Sequence, residues 1–146
     1  MTTSYDAGSI VYLAASVREQ ANTLILKLLA GYGVGDLLPS HGAVMKALFE
    51  RNPCQMGELA DMTGRKKNTV TSLVSTLEER GYCRREASSQ DARVQLVFLT
   101  DKGESLRQIQ ESVSEEILLR AWEGIDERDK DCCVATLTRV LENLKV

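Results

Sequence analysis

Apolar positions recur every three or four residues along most of this chain, the interval at which side chains return to one face of an α-helix. Ile10, Leu13, Val17, Ala21, Leu24 and Leu28 step in this way through a polar background and predict a helix of several turns up to about Ala30, where Gly31, Gly33 and Gly35 break the pattern. Pro39 and Ser40 open a second helix that carries Val44, Leu48 and Phe49 inward, with Pro53 closing the turn after it. Met56, Leu59 and Ala60 mark a short third helix, and Gly64 supplies the turn into a fourth, whose stripe is Val70, Leu73, Val74 and Leu77. The rhythm then changes. Gly81 stands where a helix terminator is expected, Tyr82 to Glu86 reads as a strand, Ala87 to Ala92 as a polar tip, and Val94 to Leu99 as a β-branched and aromatic strand. Thr100 caps a long helix with Asp101 and Glu104 in its first turn and Leu106, Ile109, Val113 and Ile117 on its stripe. A last helix begins near Asp126, striped by Cys133, Leu137, Val140 and Leu144 and widened by Leu141.

The expected fold class is therefore mainly α with a small β-hairpin wing: a winged helix-turn-helix head flanked by helical arms. The chain reads as a single domain over 1–146, with the head at 36–100 and arms at 7–31 and 101–146. The stripe of the fourth helix leaves Asn68, Thr71, Ser72 and Ser75 on or near its outer face, and side chains this short let a helix sit close to base edges. Arg65, Lys66 and Lys67 gather at its start, where phosphate oxygens would lie, and Arg84 follows on the first wing strand. Asn68 has two readings, a bidentate contact to adenine or a helix cap. The bland reading of the whole segment is a solvated helix with a charged beginning.

These residues resemble the MarR family of bacterial transcriptional regulators. The resemblance rests on Glu58-Leu59-Ala60, Thr69-Val70-Thr71, Leu73-Val74 with Leu77-Glu78, Gly81-Tyr82, and Asp91-x-Arg93 leading to Leu99-Thr100-x-x-Gly103. It covers about a third of the chain closely; the flanking helices agree in length and order only. The resemblance implies that Arg93 at the wing reaches toward the minor groove and is positioned by Asp91, where the plain alternative is a surface ion pair of little energetic weight. It also implies a homodimer with first and last helices intertwined, and small aromatic or phenolic acids binding between the dimer arms and the head.

At 146 residues the chain has the size of one domain with one core. Its formal charge of -3 and pI near 5.3 argue against a protein coated in positive potential. The distribution changes that picture. Between Met62 and Leu99 seven basic residues face four acidic ones, a local charge of +3, so the remainder carries -6. An acidic body with a basic reading surface would orient itself on a duplex. No apolar run is long enough to cross a bilayer and Met1 to Gly8 is polar, so the expectation is a cytoplasmic protein.

The terminal helices carry more apolar surface than a head of this size covers, which predicts a second copy rather than an intramolecular bundle. A two-fold dimer would set two recognition helices about one DNA turn apart on a roughly palindromic operator, and such a protein represses most simply by occupying a promoter. Tyr12, Tyr32, His41 and Trp122 are candidates to line a ligand site, although each also suits plain packing. The four cysteines, at 54, 83, 132 and 133, show no CxxC spacing and read as buried small hydrophobes or inert thiols. A thiol switch at Cys54 or Cys83 is the alternative mode of regulation. Oxidation-sensing relatives typically carry a reactive cysteine near the N-terminus, and the first thirty residues here contain none. No metal, cofactor or catalytic constellation is expected, and Gly31-Tyr32-Gly33-Val34-Gly35 follows a helix rather than a strand, out of context for a nucleotide fingerprint. A winged helix serving protein contacts remains the competing class.

Overall fold

The computed structural model describes residues 4–146 and places a long helix, α1 (Ile10–Gly31), ahead of a mixed head. In the head, α2 (Pro39–Glu50) leads to a two-residue strand β1 (Cys54–Gln55), then α3 (Met56–Thr63) and α4 (Lys67–Glu79). The wing strands are β2 (Cys83–Ala87) and β3 (Gln95–Leu99), and three helices follow: α5 (Asp101–Glu104), α6 (Leu106–Ala121) and α7 (Glu127–Asn143). The chain divides into two compact units, one up to Val113 and one from Ser114 to Val146, with the division falling inside α6.

The core of the first unit lies where α2, α3 and α4 pack against one another and against the sheet. Val44 and Leu48 from α2, Leu59 from α3, Val70, Val74 and Leu77 from α4, and Val97 from β3 are all fully buried. Burial of such side chains contributes about 1.5–3 kcal/mol each relative to exposure. The predicted stripe of α4 is thus the core stripe, with Leu73 only half-buried. The hairpin expected from the sequence belongs to a three-stranded antiparallel sheet in the order β1-β3-β2. Cys54 pairs with Val97 on one side of β3, while Arg85 pairs with the same residue on the other.

Two glycines explain why the wing and the helix after it meet as they do. Gly81 ends α4 with φ +80°, a conformation open to glycine at low cost, and its neighbour Tyr82 donates its backbone N–H to the Leu77 carbonyl at 2.9 Å. Gly103 lies in the first turn of α5, where an added Cβ would stand 2.0 Å from the Tyr82 carbonyl oxygen. Between them Thr100 donates its hydroxyl to the Gly81 carbonyl and accepts from the Gly103 N–H at 3.1 Å. The Gly81-Tyr82 and Leu99-Thr100-x-x-Gly103 segments, distant in sequence, are two halves of one joint.

The expected long helix from Thr100 is interrupted at Ser105, so α5 and α6 are separate elements. Arg107 ties the start of α6 to α2, donating to the Phe49 carbonyl at 3.2 Å while its guanidinium lies over the Phe49 ring, 4.7 Å from the ring centre. Gln110 adds a bond to the Gly42 carbonyl at 3.0 Å. In the second unit Asp126 caps α7, accepting from the Asp129 N–H at 2.9 Å. No residue of α7 is buried: of its expected stripe Cys133, Leu137 and Leu141 are exposed and Val140 is half-buried, with Leu144 exposed just past the helix end. Among the described residues no helix is long and apolar enough to cross a membrane.

Candidate nucleic-acid interface

The turn at Gly64 and the N-cap at Lys66 aim the start of α4 outward. Lys66 makes no side-chain cap, so the first-turn N–H groups of α4 are left without a capping side chain, a donor set suited to an anion. Lys66, Lys67, Asn68 and Thr69 are all exposed around it. Arg65 is half-buried and donates to the Thr63 carbonyl at 3.2 Å, which holds it beside the turn. The capping alternative for Asn68 is not realised: it stands one residue inside α4, two after the N-cap, and no side-chain bond is formed by its amide among the described residues.

Along the outer face, Ser72 is exposed and Thr71 and Ser75 are half-buried. Thr71 donates its hydroxyl to the Lys67 carbonyl at 2.9 Å and Ser75 to the Thr71 carbonyl at 2.9 Å. Their lone pairs stay available.

The wing tip is organised by one carboxylate. Asp91 accepts from the Arg93 backbone N–H at 3.0 Å and from its Nε at 3.1 Å through Oδ1, and from Nη2 at 3.2 Å through Oδ2. These bonds from Arg93 hold the Asp91 carboxyl below the usual aspartate range. The Arg93 side chain is nevertheless 91% exposed, so its orientation is set while its charge remains open to solvent. Arg84 is less free: it pairs with Glu86 and its guanidinium lies 4.4 Å from the Phe98 ring centre.

Residues 37–94 match the sequence profile of the MarR family. Over this segment the chain is similar to the MarR family. The transcriptional regulator HosA of Escherichia coli O157:H7 is 33% identical over 89 residues, a match covering 58% of this chain and 66% of HosA, just under two thirds of that relative's length. Two solved structures share the fold. PcaV of Streptomyces coelicolor, solved with its natural ligand, superposes with a TM-score of 0.85 at 18% identity, covering 99% of this chain and 100% of that one. Reduced AbfR bound to DNA superposes at 0.77 with 22% identity, covering 94% and 93%.

The four candidate ligand residues fall on separate elements of the chain. Tyr12 lies in the first turn of α1 and Tyr32 just past its end, about 30 Å apart by helical rise, too far to share a small-molecule crevice within one chain. Both are exposed, and Tyr12 stands beside Tyr5 with ring centres 6.0 Å apart. His41 is 4% exposed; its Nδ1 accepts the Leu38 N–H at 3.0 Å, so it anchors the start of α2. Burial, followed by the charge of Arg80, lowers its pKa below the ordinary 6.5. Trp122 is half-buried in the second unit.

The cysteines divide. Cys54 and Cys83 are buried as expected, and burial, reinforced by Glu58 for the first and Glu78 for the second, pushes both thiols up to about 11. Such thiols hold little thiolate near neutral pH, the opposite of an activated sensor. Cys132 and Cys133 correct the expectation of burial: both are exposed on α7. Among the described residues no group of three His, Cys, Asp or Glu side chains is arranged to hold a metal ion.

Periodicity gave no hint of Glu78 and Arg85. Glu78 sits in the last turn of α4 and Arg85 in the middle of β2, and the carboxylate accepts from the Arg85 N–H at 2.7 Å, Nη2 at 2.9 Å and Nε at 3.1 Å. In the sequence Glu78 stands only as part of the Leu77-Glu78 motif, and its pairing with a base seven residues later across a glycine stop is not marked.

Proposed function

We propose that this chain is a sequence-specific DNA-binding transcriptional regulator of the MarR family, a homodimeric repressor released from a roughly palindromic operator by a small-molecule ligand, acting in the cytoplasm. One observation carries the DNA-binding part. The uncapped, lysine-flanked start of α4 and the exposed Arg93 at the wing, fixed by Asp91, form two outward cationic elements on one basic head of an acidic chain. On this reading Lys66, Lys67 and Arg65 neutralise phosphates, Asn68, Thr69, Thr71, Ser72 and Ser75 face the major groove, Arg84 sits near the backbone, and Arg93 enters the minor groove with Asp91 as its support.

AbfR, solved bound to DNA, and PcaV, solved with its natural ligand, share this fold, which supports both halves of the reading. The apolar stripes left exposed on α1 and α7 support a second copy. Burial of Cys54 and Cys83 favours ligand release over a thiol switch.

A gel-shift titration on the chain's own promoter, run against excess unrelated DNA, tests the proposal. Retention on the promoter fragment under competition is expected. Equal displacement by any DNA would remove sequence specificity, and no shift at low salt would leave the winged helix as a protein-contact module.

A further inference from the structure

The two outward elements of the head are separate pieces of chain, and a duplex can engage both only if their separation is fixed before binding. The sheet fixes the wing strands to each other, and the core holds the inner stripe of α4. The turn at Gly81 and Tyr82 sets where β2 starts against α4, with the Tyr82 N–H on the Leu77 carbonyl at 2.9 Å, but the middle of the strand needs a further tie to the last turn of α4. Glu78 supplies it with both carboxylate oxygens: Oε2 accepts the Arg85 backbone N–H, and Oε1 accepts Nε and Nη2 of the same residue. A bond to the backbone fixes the strand itself, and the two bonds to the guanidinium fix the angle of approach. Arg85 in turn stands opposite Val97, which is fully buried at the centre of the sheet. The carboxylate is therefore a short strut from the recognition helix to the strand whose hairpin carries Arg93.

We infer that Glu78 and Arg85 are a positioning pair that sets the spacing between the recognition helix and the wing, so that Glu78, an anionic residue, strengthens binding to a polyanion. The inference rests on the DNA-binding reading above. It runs against simple electrostatics, which is what makes it sharp. Removing a negative charge from a DNA-facing head should tighten binding by lowering its repulsion from the phosphates, and more so at low salt. Loss of the strut should instead weaken binding, because the wing then meets the duplex out of register.

The test is a double-mutant cycle of Glu78→Gln and Arg93→Ala in the full chain, with affinity for the chain's own promoter fragment measured by fluorescence anisotropy across a salt series. Glu78→Gln is expected to weaken binding about tenfold when Arg93 is present, in the range seen for coupled neighbours, and to add about twofold or less when Arg93 is already alanine. The single variant should also lose about one unit of salt slope, as Arg93→Ala does, because the wing contact is what has been lost. A merely stabilising carboxylate would lower the unfolding temperature, leave the salt slope alone and cost the same in both backgrounds. Unchanged or tighter binding by Glu78→Gln, or equal losses in the two backgrounds, overturns the inference. Should Glu78→Gln fail to fold by circular dichroism, Arg85→Lys keeps the charge pair but removes the guanidinium fork; it should lose affinity and salt slope in the same direction, and wild-type behaviour would overturn the inference. Failure of the wild-type chain to bind its promoter would instead remove the DNA-binding reading and is seen before any variant is made.

Discussion

Side chains at the start of α4 divide by what they can do to a duplex, and substitutions should divide the same way. Lys67 is exposed beside uncapped N–H groups, so Lys67→Ala is expected to weaken binding to all sequences and to reduce the salt slope by about one. Asn68→Ala or Ser72→Ala should also shift preference among operator variants, with about 1–3 kcal/mol of discrimination at stake for a good bidentate contact, measured by competition with single-base changes. If all three variants shift binding uniformly, the base-reading role falls. His41 gives a different prediction. Its folded pKa lies below 6.5, so the native state binds fewer protons than the unfolded chain as acid is added. The stability this contributes is complete above about pH 6.5 and is lost as pH falls through the depressed value. Denaturant melts from pH 8 to about pH 5 should show this decline. His41→Asn, which keeps an acceptor for the Leu38 N–H, should flatten it, and an unchanged slope would exclude His41 as the source.

Elements with a long period were the legible part of this fold. The stripes of α2 and α4 are visible in the sequence because each helix buries one face against its neighbours, and burial is what periodicity records; α1 carries a stripe of the same period with only Leu29 buried. β1 was not legible. Two residues carry no period, and Cys54–Gln55 is a strand only because β3 presents an edge for it. The break at Ser105 was missed for a related reason: the apolar stripe continues through it, while the joint around Gly103 decides where one helix ends and the next starts. In the candidate interface, Asn68, Ser72 and Arg93 could be named from sequence because exposure follows from the stripe and the hairpin tip. Glu78–Arg85 could not, since it links elements whose distance only the folded chain defines. The joint also yields a prediction. Gly103→Ala is favoured by helix propensity, yet its methyl would press on the Tyr82 carbonyl, so the variant is expected to be destabilised by about 1–3 kcal/mol, read from chemical denaturation. Neutral or improved stability would mean that the joint yields freely.

At the scale of the whole molecule, the α7 stripe is as regular as that of α4 and none of its residues is buried, and Val11, Tyr12 and Val17 on α1 are likewise exposed. Sequence could show that these faces are apolar but not what meets them. Sedimentation at micromolar concentration should give twice the 16.2 kDa of one chain, and a mass near 16.2 kDa would contradict the homodimer. Replacing Leu137 and Leu141 by arginine should shift the mass toward one chain and weaken operator binding with it.

The hydroxyls of Thr71 and Ser75 have a consequence for the kind of base step a half-site should contain. Each has directed its proton inward to the helix, so what it turns toward a groove is lone pairs alone. Phosphate oxygens and the guanine major-groove edge accept and do not donate, leaving the exocyclic amino groups of adenine and cytosine as matching neighbours. On the proposed reading, the operator is expected to be richer in such amino groups beneath the middle of α4 than at its lysine-flanked start.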